Sequence, residues 1–290
     1  MKIRNILKSK QTISFEFFPP KLASGLENVI DKMNVLSKYN PDFISITYGA
    51  GGSTQSFTEE LSRIAKRDLF LEVMSHITCV GQTANEIDNM LNNLLTSNIK
   101  NIIALRGDPP KGETNFTQTP GGFKYASELI NHINQNFDFG IAAAGYPETH
   151  IESFNIEQDI EHLKSKVSTG VDFLITQLFF DNNHYYNFVD RARNAGIEVP
   201  IIPGILPILS VPQIRRITQL CGASIPMELN KQLEFIKDDN DAAIQLGIEH
   251  ATKQVQDLLK QGAPGIHFYV LNKNYSIEKI LTNLNLVPSE

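Results

Sequence analysis

Apolar and polar positions along this chain switch between two periods. Short apolar or β-branched runs occur at 12–17 (TISFEF), 43–47 (FISIT), 70–77 (FLEVMSHI), 101–105 (NIIAL), 139–144 (FGIAAA), 172–178 (DFLITQL), 199–203 (VPIIP) and 266–271 (IHFYVL). Each has the length and near-continuous hydrophobicity of a parallel strand covered on both faces. Between them lie amphipathic stretches of helical period. Ile87, Met90, Leu91, Leu94 and Leu95 repeat at i, i+3, i+4, i+7 and i+8 behind a Thr83/Glu86 capping box. Leu26, Val29, Ile30, Met33 and Leu36 repeat likewise, as do Ile156, Ile160, Leu163 and Val167, with Gly170 placed as a C-terminal cap. A longer helix is predicted over roughly 240–260, stopping near Gly262.

Eight strands alternating with helices predict a parallel α/β architecture. An open doubly wound sheet competes with a closed (β/α)₈ TIM barrel. Eight units in 290 residues favour the barrel, which typically needs about 250. No Pro- or Ser-rich linker or change of composition interrupts the alternation, so residues 1–290 are expected to form a single barrel domain. No GxGxxG follows the first strand, and Gly49-Ala50-Gly51-Gly52-Ser53 lacks the Gly-Lys-Ser/Thr ending of a P-loop. Its plain reading is a flexible loop.

Chemistry in barrels sits where the βα loops converge, at the carboxyl ends of the strands. Six consecutive strands here deliver a polar side chain to that rim: Glu16, Thr47-Tyr48, His76, Arg106-Gly107-Asp108, Tyr146 to His150, and Gln177. Each residue has a plain reading beside the functional one. Glu16, between aromatics in SFEFFPP, is either a carboxylate paired with a cation or a general acid whose pKa is raised by apolar surroundings. His76 is a hydrogen-bonded core histidine or a site residue. Arg106 and Asp108 form a structural pair or, with Gly107 and Pro109-Pro110, a rigid binding loop. Tyr146 is a rim aromatic or a ligand contact. His76, His150, Glu16 and Asp108 lie on separate strands without HExxH or other metal-ligand spacing, and no GxSxG or Cys-His signature points to a hydrolase.

Composition narrows the partners. Hydrophobic residues make up 41% and charged residues 20%, an ordinary globular balance. Net charge is -6 with Lys and Arg scattered, which argues against nucleic acid or an anionic membrane and leaves an anionic small molecule open. Cys79 and Cys221 lack CxxC spacing and read as two buried thiols in a reducing compartment. No signal peptide or membrane span is evident, so a cytoplasmic location is expected.

At the rim residues the sequence resembles the methylenetetrahydrofolate reductase family. SFEFFPP (14–20), ITYGAGGS (46–53), HITC (76–79), ALRGDPP (104–110), YPETH (146–150), ITQLFFD (175–181), IPGILPI (202–208) and HFYVLN (267–272) look like its motifs, in order over nearly the whole chain. The resemblance implies the catalytic barrel alone, as in bacterial members. It also implies a non-covalent FAD, NADH or NADPH as electron donor, and ping-pong reduction of 5,10-methylenetetrahydrofolate to 5-methyltetrahydrofolate. A homo-oligomer is expected.

By the same resemblance Glu16 is the general acid and Asp108 a carboxylate favouring the cationic iminium form of the substrate. FAD contacts fall on Thr47, Tyr48, Ala50, His76, Arg106, Gly107, Asp108, Tyr125, Ala126, Tyr146, His150, Asp159 and Lys166. Arg106 and Lys166 suit its phosphates. Substrate contacts fall on Glu16, Asp108, Gln177, Gln213 and Lys273; no metal is expected. Three positions depart from the family pattern: Lys273 where relatives often carry Arg, Ile217 where some place Phe, and Ser165 in place of a basic residue. The rival readings are another FAD-dependent barrel oxidoreductase of proline dehydrogenase type, a pterin-binding transferase barrel, and a non-catalytic folate- or flavin-binding barrel.

Overall fold

The computed structural model describes residues 1–48, 55–108 and 116–287. The glycine-rich loop with Ala50, and Pro109-Pro110, lie outside the described residues. Nine strands run parallel in one sheet: β1 (Thr12–Phe17), β2 (Phe43–Ile46), β3 (Val73–Thr78), β4 (Asn101–Leu105), β5 (Gly140–Gly145), β6 (Phe173–Thr176), β7 (Ile201–Ile202), β8 (Gly204–Ile205) and β9 (Gly265–Tyr269). Their order is β7-β6-β5-β4-β3-β2-β1-β9-β8. Apart from β7 and β8, which stand at the two ends of this order, neighbours in sequence are neighbours in the sheet, and β9 returns beside β1, with Thr12 level with Gly265 and Glu16 level with Tyr269.

The two short strands β7 and β8 are one barrel stave interrupted by Pro203. Proline has no N–H to give a ladder, but its carbonyl still accepts from His267 N at 3.0 Å. On one side β7 pairs with β6, and on the other β8 pairs with β9. The break carries the ladder across and closes the (β/α)₈ barrel that the alternation predicts.

Helices α1 (Ile3–Ile6), α2 (Leu26–Ser37), α3 (Gln55–Arg67), α4 (Ala84–Thr96), α5 (Ala126–Asn136), α6 (Ile156–Val167), α7 (Asn182–Asn194), α8 (Val211–Cys221), α9 (Met227–Phe235), α10 (Asn240–Lys260) and α11 (Asn274–Asn283) complete the fold. The predicted capping box is formed: the Thr83 hydroxyl accepts from Glu86 N, and Glu86 accepts from Thr83 N. Helix α6 ends on Ser168, two residues before Gly170, which follows in a left-handed conformation (φ +115°). Helix α10 matches its predicted span.

Strand residues alternate between two cores. Phe15 and Phe17 face outward into the layer under the helices, together with Met33, Leu36, Ile44, Ile46 and Leu91. Phe43, Met74, Ile103, Ala142, Phe173, Ile175 and Ile202 face inward and fill the amino-terminal half of the barrel.

Ile3, on α1, joins this inner cluster and is fully buried, so the first turn of the chain stoppers the barrel from below. Buried Asn101 at the start of β4 holds the stopper. Its Oδ1 accepts from Ile3 N at 2.8 Å, and its Nδ2 donates to Met1 O at 2.9 Å and to Glu72 Oε1 at 3.0 Å. Replacing Ile3 by Ala is expected to cost about 2–4 kcal/mol, because the surrounding barrel is too rigid to collapse on the cavity. A fall in the urea midpoint at unchanged slope checks this; an unchanged midpoint would show that the stopper is not packed.

Candidate functional site

Above the apolar layer the barrel interior turns polar. Period two puts Ser14 and Glu16 on the same face of β1, Ser45 and Thr47 on the inner side of β2, and His76 above Met74 on β3. Beside Ser14, on the neighbouring strand, His267 projects from β9 and is fully buried, its ring stacked on Phe43 at 5.9 Å and 14°.

These residues form one cluster. Ser14 Oγ donates to Ile266 O at 3.1 Å and lies 2.8 Å from His267 Nδ1. Nε2, across the ring, faces the Ser45 and Glu16 side of the cluster. Nε2 lies 3.2 Å from Ser45 Oγ and 3.6 Å from Glu16 Oε2. Ser45 Oγ donates to Glu16 Oε2 at 3.3 Å, and His76 Nε2 stands 3.3 Å from the same oxygen. That last contact is off-line for a hydrogen bond, so His76 Nε2 is a buried polar atom without an aligned partner.

The surroundings of Glu16 therefore correct the expectation of an apolar pocket that raises its pKa. Burial does push the carboxyl up, but the His267 and His76 imidazoles, 3.6 and 3.3 Å away, outweigh it and hold the group at about 2. The paired reading of Glu16 is the one the geometry supports in the ligand-free protein, the partners being imidazoles. A carboxyl depressed from 4.5 to about 2 contributes stability that is fully present above its unfolded value and is lost as pH falls toward 2. Glu16→Gln is accordingly expected to flatten the loss of stability between pH 5 and pH 3, read from urea melts at both; an unchanged slope would mean that the cluster does not hold the carboxylate.

A second group gathers around β4, β5 and α6. Arg106 does not pair with Asp108. Its guanidinium makes two parallel bonds to Glu152, 2.7 and 2.6 Å, and lies over the Phe116 ring at 5.4 Å. Gly107 has φ +87°, and a Cβ there would come within 2.7 Å of Val80 Cγ1, so only glycine fits this turn. Asp108 follows it and is exposed.

Tyr146 packs edge-on against His150 at 4.5 Å, and burial with the nearby Asp108 and Asp159 raises its hydroxyl to about 12. Asp159 accepts from Ser153 Oγ at 2.8 Å and from His150 N at 3.3 Å. Lys166 is driven down to about 8 by burial, against the pull of Asp159, and its Nζ donates to Ala144 O at 2.7 Å.

The remaining expected residues are placed less closely. Thr47 is buried at the end of β2, and the Tyr48 hydroxyl accepts from Gln82 Nε2. Half-buried Gln177 follows β6 and turns its Oε1 back onto Leu178 N. Tyr125 and Ala126 start α5, Gln213 lies in the first turn of α8, and Lys273 is the N-cap of α11, all at helix starts on the same rim. None of these four shares a hydrogen bond with Glu16 or Arg106 among the described residues. Ile217 packs with the apolar cluster of α8 and α9. An open groove of about 520 Å³ between α9 and α10, lined by Phe235, Ile236 and Leu246 among others, shares no residue with the rim.

Sequence reasoning missed Ser14, Ser45 and His267, together with Asn272, whose side chain accepts from Phe18 N at 3.0 Å and donates to Phe18 O at 2.8 Å. The signal for the first three is a polar residue two places before a rim residue on the same strand: Ser14 before Glu16, Ser45 before Thr47, His267 before Tyr269.

Fold and rim together define a TIM barrel with an ionisable site at the carboxyl ends of its strands. Within that class the chain belongs to the methylenetetrahydrofolate reductase family, whose model matches residues 2–285. It is 34% identical to 5,10-methylenetetrahydrofolate reductase of Escherichia coli (strain K12), over 95% of this chain and 91% of that protein. It is 41% identical to methylenetetrahydrofolate reductase (NADH) 1 of Arabidopsis thaliana, over 99% of this chain and 50% of that protein. The chain thus spans about half the length of the plant and yeast relatives it matches. Among solved structures, a Clostridium thermocellum protein described as binding two copies of 5-methyl-5,6,7,8-tetrahydrofolic acid shares the fold, with a TM-score of 0.64, 17% identity, and coverage of 97% of this chain and 96% of that one. No helix among the described residues is long and apolar enough to cross a membrane.

Proposed function

We propose that this chain reduces 5,10-methylenetetrahydrofolate to 5-methyltetrahydrofolate, with NADH or NADPH as donor and a non-covalent FAD as carrier, donor and folate using the site in turn. Family membership supports the reaction, and the names of the Arabidopsis thaliana and Zea mays relatives specify NADH. The observation that carries the reading is the buried carboxylate between two imidazoles in the barrel mouth, beside a rim supplied with two cations.

The rim suits a phosphate-bearing cofactor rich in ring heteroatoms. Arg106 presents a planar fork, Lys166 a half-buried amine, Gly107 a backbone free of side-chain bulk, and His76 Nε2 an unsatisfied polar atom. When bound, the flavin supplies two-electron hydride chemistry, and the protein supplies orientation and electrostatics.

The substrate's five-membered ring must open before a hydride can be accepted. Protonation at N10 breaks the bond from N10 to the one-carbon unit and leaves an iminium at N5. Hydride addition to that carbon then gives the N5-methyl group. Glu16 is the proton donor to N10, with two imidazoles within 3.6 Å of its carboxylate. Asp108 stabilises the cationic iminium, and Gln177, Gln213 and Lys273 hold the folate.

The test is anaerobic. Purified protein carrying flavin is bleached with NADH, and 5,10-methylenetetrahydrofolate is then added. Recovery of the flavin absorbance with formation of 5-methyltetrahydrofolate supports both half-reactions at one site. Bleaching without recovery removes folate as the acceptor, and protein that binds no flavin overturns the reading.

A further inference from the structure

The two cations of the β4–β5 rim each face a carboxylate, Arg106 facing Glu152 and Lys166 lying close to Asp159. The two acids are held differently. Asp159 is fixed by Ser153 Oγ and by His150 N. The Glu152 carboxylate, among the described residues, is hydrogen-bonded only to the Arg106 fork, and its side chain is 54% exposed.

We propose that Glu152 is a built-in stand-in for a dinucleotide phosphate, holding the Arg106 fork in the empty protein and giving way when the cofactor's pyrophosphate arrives. The inference rests on reading this rim as an FAD site. A guanidinium offers two parallel N–H donors that fit the paired oxygens of a carboxylate or a phosphate equally well, so the two compete for one seat. Phe116 lies against the guanidinium and keeps the fork in place when its partner changes.

The loop is shaped to bring the carboxylate back to the arginine. Thr149 adopts φ +82°, a left-handed turn that a β-branched residue resists, and Glu152 N donates to His150 Nδ1 at 3.1 Å. Asp159 braces the same loop from below through His150 N and Ser153 Oγ. Only the exposed carboxylate has to leave. The exchange also discriminates between ligands, because a flavin without phosphate has nothing to offer Arg106 and cannot displace Glu152.

Flavin-free protein titrated with FAD, and separately with riboflavin, by flavin fluorescence tests this. In E152Q the competitor loses its charge, and FAD is expected to bind about tenfold more tightly, with riboflavin affinity unchanged. In an R106A background the same substitution is expected to change FAD affinity less than twofold, because the seat is gone. E152A repeats the test without an amide that could itself bond to the arginine. FAD binding that is unchanged or weakened in both Glu152 variants overturns the stand-in role, the second result making Glu152 a cofactor contact. Equal tightening for FAD and riboflavin overturns it as well. Wild-type protein that binds no FAD removes the underlying reading and this inference with it.

Discussion

Glu16→Gln is expected to lower the folate half-reaction about 10²- to 10⁴-fold, the usual range for removing a general acid, while NADH still bleaches the flavin at close to the wild-type rate. The glutamine amide has the shape of the carboxyl and can still accept from Ser45 Oγ, now 3.3 Å from Glu16 Oε2. It has no proton to give N10. Reduction of the flavin by a nicotinamide needs no such proton, which is why the two half-reactions should part. Stopped-flow absorbance at the flavin band measures each separately. If both fell together, Glu16 would be holding the cofactor or the barrel and not delivering a proton. The depressed carboxyl sharpens the expectation: in the empty site Glu16 is ionised at neutral pH, so in the proposed role it must acquire a proton before it acts, and a loss of similar size is expected for His267→Phe, which removes a polar partner 3.6 Å from the carboxylate.

Gly204→Ala is expected to cost about 3 kcal/mol or more of stability. A Cβ at this position would stand 2.3 Å from Thr176 O and 2.7 Å from Tyr269 Oη, which itself donates to Thr176 O at 2.6 Å. Backbone cannot move aside as a flexible side chain can. Gly204 begins β8, on the interrupted stave that closes the barrel, and its N donates to Thr176 Oγ1 at 2.9 Å. At about 2–4 °C per kcal/mol for a chain of this size, the melting temperature should fall by roughly 6 °C or more. Gly121→Ala is the control. It has φ +76°, and a Cβ there would meet nothing within 4 Å, so it bears only the left-handed backbone penalty and should cost about 1 kcal/mol. Similar losses at both sites, by scanning calorimetry, would show that backbone conformation and not crowding governs Gly204.

The sequence made the barrel legible because parallel strands covered on both faces are continuously apolar and their helices amphipathic, so β1, β2, β4, β5 and α10 could be marked nearly to the residue, while the runs at 70–77 and 172–178 overshoot β3 and β6. Strand seven was legible only as a run. That VPIIP and the following Gly204-Ile205 form one stave broken at Pro203 depends on where the neighbouring strands present their donors. The gathering of polar residues at the strand ends was legible, and the surroundings of Glu16 were misread. Phe15 and Phe17 flank it in sequence, but a strand turns adjacent side chains to opposite faces, so the aromatics lie under the helices and the true neighbours are Ser45, His76 and His267 from three other strands. The Arg106–Glu152 pair spans 46 residues and two loops, and no local pattern announces it.

The stopper formed by α1 also decides how the proposed acid communicates with solvent. Ile3 and the aromatic layer of Phe43 and Phe173 seal the barrel beneath His267. Among the described residues this side of the barrel is closed by apolar packing, so in the proposed role a proton that Glu16 gives up is replaced through the mouth. A ligand seated in the mouth blocks that route. In the proposed role, a proton spent by Glu16 is then returned only when the mouth opens again, so each ligand that covers the site meets one proton.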